Sequence, residues 1–220
     1  MGRQAEEAPL ANRITVSRFP LLLIYVLALY AAPPAWRLAA VALLFVGLML
    51  DTVDGVVARR SKQTSLIGSV LDIAADRTYE LVLWVCFADL GLIPVAIPLI
   101  VIARTTMTDA LRSIGVGQGQ TPFTQQRSRL GRFLVASGAM RSGYSISKIV
   151  SFLALAIVEA SAGFPAGSFL QRSAGPVLGV VQVIAWIAVA LCVLRGLPVI
   201  TGAVRRHWHS LPADPPSGMT

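Results

Sequence analysis

Long apolar runs broken by short clusters of charge dominate the chain, and their lengths approach the roughly 20 residues a helix needs to cross a bilayer. After a polar lead over residues 1–12, the first run predicts a helix over 14–32, with Asn12 and Thr15 as start residues and Arg13 and Arg18 at its cytoplasmic edge. Pro33-Pro34 ends it, and the next run predicts a helix over 36–58. The basic loop at 59–62 leads to a third helix over 66–90, closed by a turn at Gly91–Pro94, and a fourth follows over 95–112. Residues 113–148 hold Arg127, Arg129, Arg132, Arg141 and Lys148 and no acid, which predicts a partly amphipathic stretch along the membrane surface. A fifth helix is expected over 146–163 and a sixth over 176–203, with a Gly- and Pro-rich loop containing Arg172 between them. Arg205 and Arg206 mark the inner end of the sixth, and His207, Trp208 and His209 form an interfacial cap. Trp36, Trp84 and Trp186 read as lipid-facing or core packing.

The basic residues fall at alternate ends of these runs, as the tendency of Lys and Arg to stay on the cytoplasmic side requires. Only Arg37 and Arg172 take outer positions. The expected fold is therefore all-α: a polytopic integral membrane protein, a six-transmembrane-helix bundle with both termini cytoplasmic. Residues 1–206 form a single membrane domain and 207–220 a polar, Pro-rich tail expected to be disordered. Composition agrees, since 55% of the 220 residues are hydrophobic. The net charge of +8 reports topology and attraction to anionic lipid or phosphate, with no stripe suited to nucleic acid. Cys86 and Cys192 both sit inside apolar runs, which favours buried thiols over a disulfide or a metal site. No cleavable signal peptide is expected, because the first run is longer than a signal core and lacks a small-residue cleavage site.

Against this background the stretch DTVDGVVARRSKQTSLIGSVLDIAAD, residues 51–76, stands out. Of eleven acids in the chain, four lie here. Asp51 and Asp54 are three residues apart and Asp72 and Asp76 four apart, spacings that put each pair on one helix face. A carboxylate at the bilayer centre costs on the order of 2.5–3.5 kcal/mol even on the lenient insertion scale. Four together need cationic compensation, and a pair of divalent metal ions is the simplest source. Gly55, Ala58 and Gly68 keep the same faces low, and Arg59 sits one turn beyond Asp54, placed to contact phosphate.

This stretch resembles the signature of the CDP-alcohol phosphatidyltransferase family at eight positions: Asp51, Asp54, Gly55, Ala58, Arg59, Gly68, Asp72 and Asp76. The resemblance implies a six-helix enzyme that takes CDP-diacylglycerol and an alcohol, transfers the phosphatidyl group and releases CMP. It implies a two-metal site of Mg2+ or Mn2+ held by Asp51, Asp54, Asp72 and Asp76, with Asp76 also the base that takes the acceptor's proton. Asp51, Asp54, Gly55, Ala58, Arg59, Gly68 and Asp72 line the CDP site. The resemblance further implies a homodimer in the bacterial inner (plasma) membrane, its active site facing the cytoplasm, with membrane lipids and no nucleic acid as partners. An aliphatic hydroxyl is a poor nucleophile at neutral pH, so a carboxylate and a metal at this place make chemical sense.

The acceptor is less constrained. NRITVSRFPLLL resembles the opening of the phosphatidylglycerophosphate synthase and cardiolipin synthase branch, and residues 104–112 resemble a stretch of the former. On that resemblance Arg104, Arg112, Arg141 and Lys148 form a pocket for the phosphate of glycerol 3-phosphate. Thr105 in place of an acid, Arg77 in place of a lysine and an incomplete segment at 145–148 depart from the pattern, which keeps inositol phosphate, phosphatidylglycerol and serine in play. Arg104 and Arg112 also fit simple anchoring at the inner interface. Glu80 lies one turn beyond Asp76, reaching the acceptor pocket or pairing with Arg77, and Arg195 is deep for a charge. The rival from another class is a divalent-cation transporter, which needs acids spread over several helices at mid-depth; this chain concentrates them in two.

Overall fold

The computed structural model describes residues 4–61, 66–117 and 137–208, with side chains described over 15–50, 68, 70–111 and 137–204. Among these it is all-helical: α1 (Gln4–Ala31), α2 (Pro34–Ser61), α3 (Leu66–Asp89), α4 (Ala96–Gly117), α5 (Gly138–Ala162) and α6 (Phe169–Trp208). Six helices stand where six were expected, but several bounds differ. The first helix begins at Gln4, the fifth at Gly138 and the sixth runs from Phe169 to Trp208. Hydropathy marks only the greasy part of a helix, whereas caps and continuing backbone bonds set its ends. Ser137 caps α5 through the Met140 N–H (3.2 Å), and Ser168 caps α6 through the Gln171 N–H (3.2 Å). Of the stretch at 113–148 expected along the membrane surface, residues 113–117 complete α4 and 138–148 open α5, while 118–136 lie outside the described residues.

Two compact units make up the chain: Met1–Pro98 with Ser147–Trp186, and Leu99–Ile146 with Ile187–Thr220. In the first, α1 packs on α2 and α3. The buried positions of α1 are Thr15, Arg18, Leu22, Tyr25 and Leu29, a stripe with the three-and-four spacing of one helix face. Its core centres on Trp84, Phe87 and Phe152, with Trp84 meeting Phe152 edge-on at 4.7 Å between ring centroids. The chain leaves α1 at Pro33, and the Arg37 Nε–H donates to the Ala32 carbonyl (2.6 Å), satisfying a group the helix end leaves open. Arg37 also pairs with Glu159 of α5, so the lone basic residue expected at that outer turn is neutralised in the bundle. At the end of α3 the Leu92 N–H reaches the Phe87 carbonyl and the Gly91 N–H the Ala88 carbonyl, both at 3.0 Å. This is the six-to-one and five-to-two pairing of a Schellman cap, and its left-handed residue is Gly91 at φ 72°. The second unit buries Val101, Thr108, Tyr144, Ala188, Val189 and Cys192.

Two helical stretches, Gly138–Ala162 and Phe169–Val204, are long and apolar enough to cross a membrane, and Thr15–Ala31 and Pro34–Leu50 are shorter apolar runs. α3 fails the same measure because Asp72, Asp76, Arg77 and Glu80 interrupt it. Leu23, Leu27, Val180 and Val183 all point outward, as helices that meet lipid require. Cys86 and Cys192 are both buried, and neither forms a disulfide. Trp84 is core, while Trp36 and Trp186 face outward.

Phe152→Ala should lower unfolding stability by about 3–5 kcal/mol, since it empties the ring cluster. Trp36→Ala, at an outward position, should change it by less than about 1 kcal/mol. Thermal unfolding of the detergent-solubilised protein measures both, and equal costs would contradict this placement of the core.

Candidate active site

The third helix carries the acidic face. Gly68, Asp72, Asp76 and Glu80 follow one another at intervals of four on α3, so they rise along one side of it. Exposure falls along this series: the Asp72 side chain is 50% exposed, Asp76 38% and Glu80 0%. An open carboxylate can meet a ligand, whereas a sealed one must be satisfied by the protein itself.

Cations from two other helices meet this face. The Arg18 Nη1 lies 3.8 Å from the Asp72 Oδ1, and Arg18 is 1% exposed. Its guanidinium stands 5.1 Å from the Tyr79 ring centroid, where the ring's negative face favours a cation. The Tyr79 hydroxyl donates to the Arg18 carbonyl at 2.7 Å, tying α3 to α1 beside the site. Gly47 of α2 makes room for that hydroxyl, because a Cβ there would lie 2.6 Å from it. On the other side Lys148 of α5 donates from Nζ to the Asp76 Oδ1 at 3.0 Å and lies 3.5 Å from the Glu80 Oε2. Arg77 reaches the same Glu80 oxygen at 3.4 Å. Three carboxylates are thus faced by three cations.

Of the residues expected from the sequence, the structure brings together Asp72, Asp76 and Lys148, with Gly68 one turn before Asp72. Asp51, Asp54, Gly55, Ala58 and Arg59 on α2, and Arg112 on α4, lie outside the residues whose side chains are described. Arg104 and Arg141 belong to the second unit. There Arg104 packs against Gly196, where a Cβ would come within 2.7 Å of its Nε, and Arg141 is exposed. Arg195 stacks over Tyr144, 5.7 Å from the ring centroid, which accounts for a charge so deep in α6.

One participant differs from the sequence reading, and another fulfils one of its two alternatives. Arg18 is buried against Asp72 rather than resting at the water edge. Glu80 does pair with Arg77, and with Lys148 as well. The signals were present: Arg18 continues the spacing of Leu22, Tyr25 and Leu29, and Glu80 continues that of Asp72 and Asp76. Charged residues are easily left out of a stripe defined by hydrophobicity.

The donor chemistry suits a hard divalent cation, since Asp72 and Asp76 offer partly open carboxylate oxygens one turn apart, each already facing a positive group. Among the described residues no group of three or more His, Cys, Asp and Glu is placed to hold a metal ion.

If the Tyr79 hydroxyl is the obstacle at Gly47, Gly47→Ala should destabilise the protein by about 1–3 kcal/mol. The cost should be smaller in a Tyr79→Phe background. Equal costs in the two backgrounds, measured by thermal unfolding, would contradict this packing.

Residues 8–194 match the family model described as CDP-alcohol phosphatidyltransferase. Among curated proteins none matches the chain.

Proposed function

This chain belongs to the CDP-alcohol phosphatidyltransferase family, and from that premise we propose that it moves a phosphatidyl group from CDP-diacylglycerol to glycerol 3-phosphate, releasing CMP. Membership itself makes it a membrane enzyme that transfers a substituted phosphate group from a CDP-alcohol to an alcohol acceptor. The observation that carries the placing of the chemistry is the α3 face, where Asp72 and Asp76 stand partly open one turn apart with a cation against each.

In this reading Asp51 and Asp54 complete the tetrad with Asp72 and Asp76, and these four hold Mg2+ or Mn2+. Among the described residues the three acids of the α3 face meet Arg18, Arg77 and Lys148, and the two further carboxylates of the tetrad add negative charge that divalent ions would neutralise. When bound, such ions screen the pyrophosphate and stabilise the charge that develops in a displacement at phosphorus. Arg59, Gly55, Ala58 and Gly68 line the place of the cytidine diphosphate. The acceptor hydroxyl attacks the phosphorus that bears diacylglycerol, its proton passes to the Asp76 carboxylate, and the bond to the CMP oxygen breaks. An ammonium held on Asp76 opposes that transfer, so Lys148 must yield the oxygen it holds, and the acceptor's phosphate is its natural new partner. The sequence resemblance also assigns Arg104, Arg112 and Arg141 to acceptor phosphate.

Residues 12–23 resemble the opening of the phosphatidylglycerophosphate synthase and cardiolipin synthase branch, and the resemblance of residues 104–112 to the former supports glycerol 3-phosphate. The wider setting we propose is a single six-span domain over residues 1–206, both termini and the site cytoplasmic, in a homodimer of the bacterial inner membrane. Outward Leu23, Leu27, Val180 and Val183 support the membrane placement.

CMP release by the purified protein tests this, with CDP-diacylglycerol, Mg2+ or Mn2+, and a panel of glycerol 3-phosphate, inositol phosphate, phosphatidylglycerol and serine. Release with glycerol 3-phosphate alone is expected, and no release with any acceptor would sink the enzymatic reading. Asp76→Asn should lower kcat by at least about 100-fold, and near-normal turnover would contradict its role as base.

A further inference from the structure

We propose that Glu80 is a positioning residue that keeps the Lys148 ammonium in the site while Asp76 is engaged in the reaction. The inference rests on the reading above that Lys148 meets the acceptor's phosphate, and it assigns a task to an acid outside the tetrad. Glu80 is 0% exposed, so its carboxylate cannot reach an acceptor or serve as its base. A sealed carboxylate is tolerable only with positive partners, because desolvating it alone costs several kcal/mol. Two face Glu80 among the described residues: the Arg77 Nη1 at 3.4 Å and the Lys148 Nζ at 3.5 Å, both on its Oε2.

The Lys148 ammonium therefore stands between two carboxylates of different character. Asp76 is partly open and lies nearer, at 3.0 Å. Glu80 is closed off and lies at 3.5 Å. Whatever takes Asp76 during turnover, a proton or a divalent cation, weakens its hold on the lysine. Lysine carries a compact charge on a flexible four-carbon stem, and with one open carboxylate as sole anchor it would follow the solvent. Glu80 cannot be taken by the reaction, so its attraction persists. Arg77, on the same oxygen, keeps Glu80 compensated as Lys148 shifts toward substrate.

Steady-state kinetics of the full-length protein test this, with CDP-diacylglycerol, Mg2+ and varied glycerol 3-phosphate. Lys148→Met and Glu80→Gln should each raise the acceptor KM by about tenfold, the scale of losing one hydrogen bond to a charged group. The KM for CDP-diacylglycerol should stay within about twofold of wild type, which a general loss of structure would not allow. Because Glu80 acts through Lys148, the double variant should be no worse in acceptor KM than Lys148→Met alone. An unchanged acceptor KM in Glu80→Gln beside a raised one in Lys148→Met overturns the role of Glu80 and leaves that of Lys148 standing, as do fully additive effects. An unchanged acceptor KM in Lys148→Met overturns both. Glu80→Asp keeps the charge but draws it back, so its acceptor KM should fall between wild type and Glu80→Gln. If Glu80→Gln does not fold, Glu80→Asp carries the comparison, and a wild-type acceptor KM there overturns the inference.

Discussion

Three carboxylates stand on one face of α3, and the helix can keep them there because α1 and α5 bring Arg18 and Lys148 against them. In a layer built from leucine, valine and alanine, an acid without a partner would protonate or force the helix out of the bundle. Arg18 is itself costly to bury, and it is made tolerable by the Asp72 carboxylate and by the face of Tyr79. Tyr79 in turn reaches the Arg18 carbonyl only because position 47 on α2 has no side chain. Electrostatic pairing and close packing are thus one arrangement at this site.

The face also grades from open to sealed. Asp72 and Asp76 retain exposure, so the proteins' own cations hold them in competition with whatever ligand arrives. Glu80, one turn further on, is removed from that competition and can only hold its partners. On the proposed reading, with a diphosphate donor and an anionic acceptor, the site uses both kinds of acid: some to exchange partners, and one to keep a cation from leaving when they do. The i, i+4 repeat places them in sequence on a single rigid helix, which fixes their separations without help from loops.

Much of this was legible in the sequence, and the exceptions have a common physical cause. Helices appeared where apolar runs lay, and the pairing of Asp72 with Asp76 followed from spacing alone. Lys148 was assigned to phosphate by resemblance, and its contact with Asp76 depends on packing between α5 and α3 that no local pattern specifies. Arg18 and Glu80 were legible as members of a helix face; Arg18 was read as an interface charge, because charge was taken to mean exposure, and Glu80 was left between the acceptor pocket and a pairing with Arg77. The starts of α5 and α6 lay beyond the hydropathy signal because Ser137 and Ser168, with polar residues after them, set those ends. The acceptor stayed open for another reason: a phosphate pocket needs only arginines and lysines, and many arrangements of them serve.

The central claim is that the tethered cations on the acid face of α3 stand where divalent ions act, and yield to them. Anomalous diffraction from crystals grown with Mn2+ and a CDP-alcohol tests it most directly. The account predicts manganese bound by Asp72 and Asp76, with the Lys148 ammonium off Asp76 and still beside Glu80. Manganese bound away from both aspartates, or Lys148 unmoved on Asp76 with the site loaded, would contradict it.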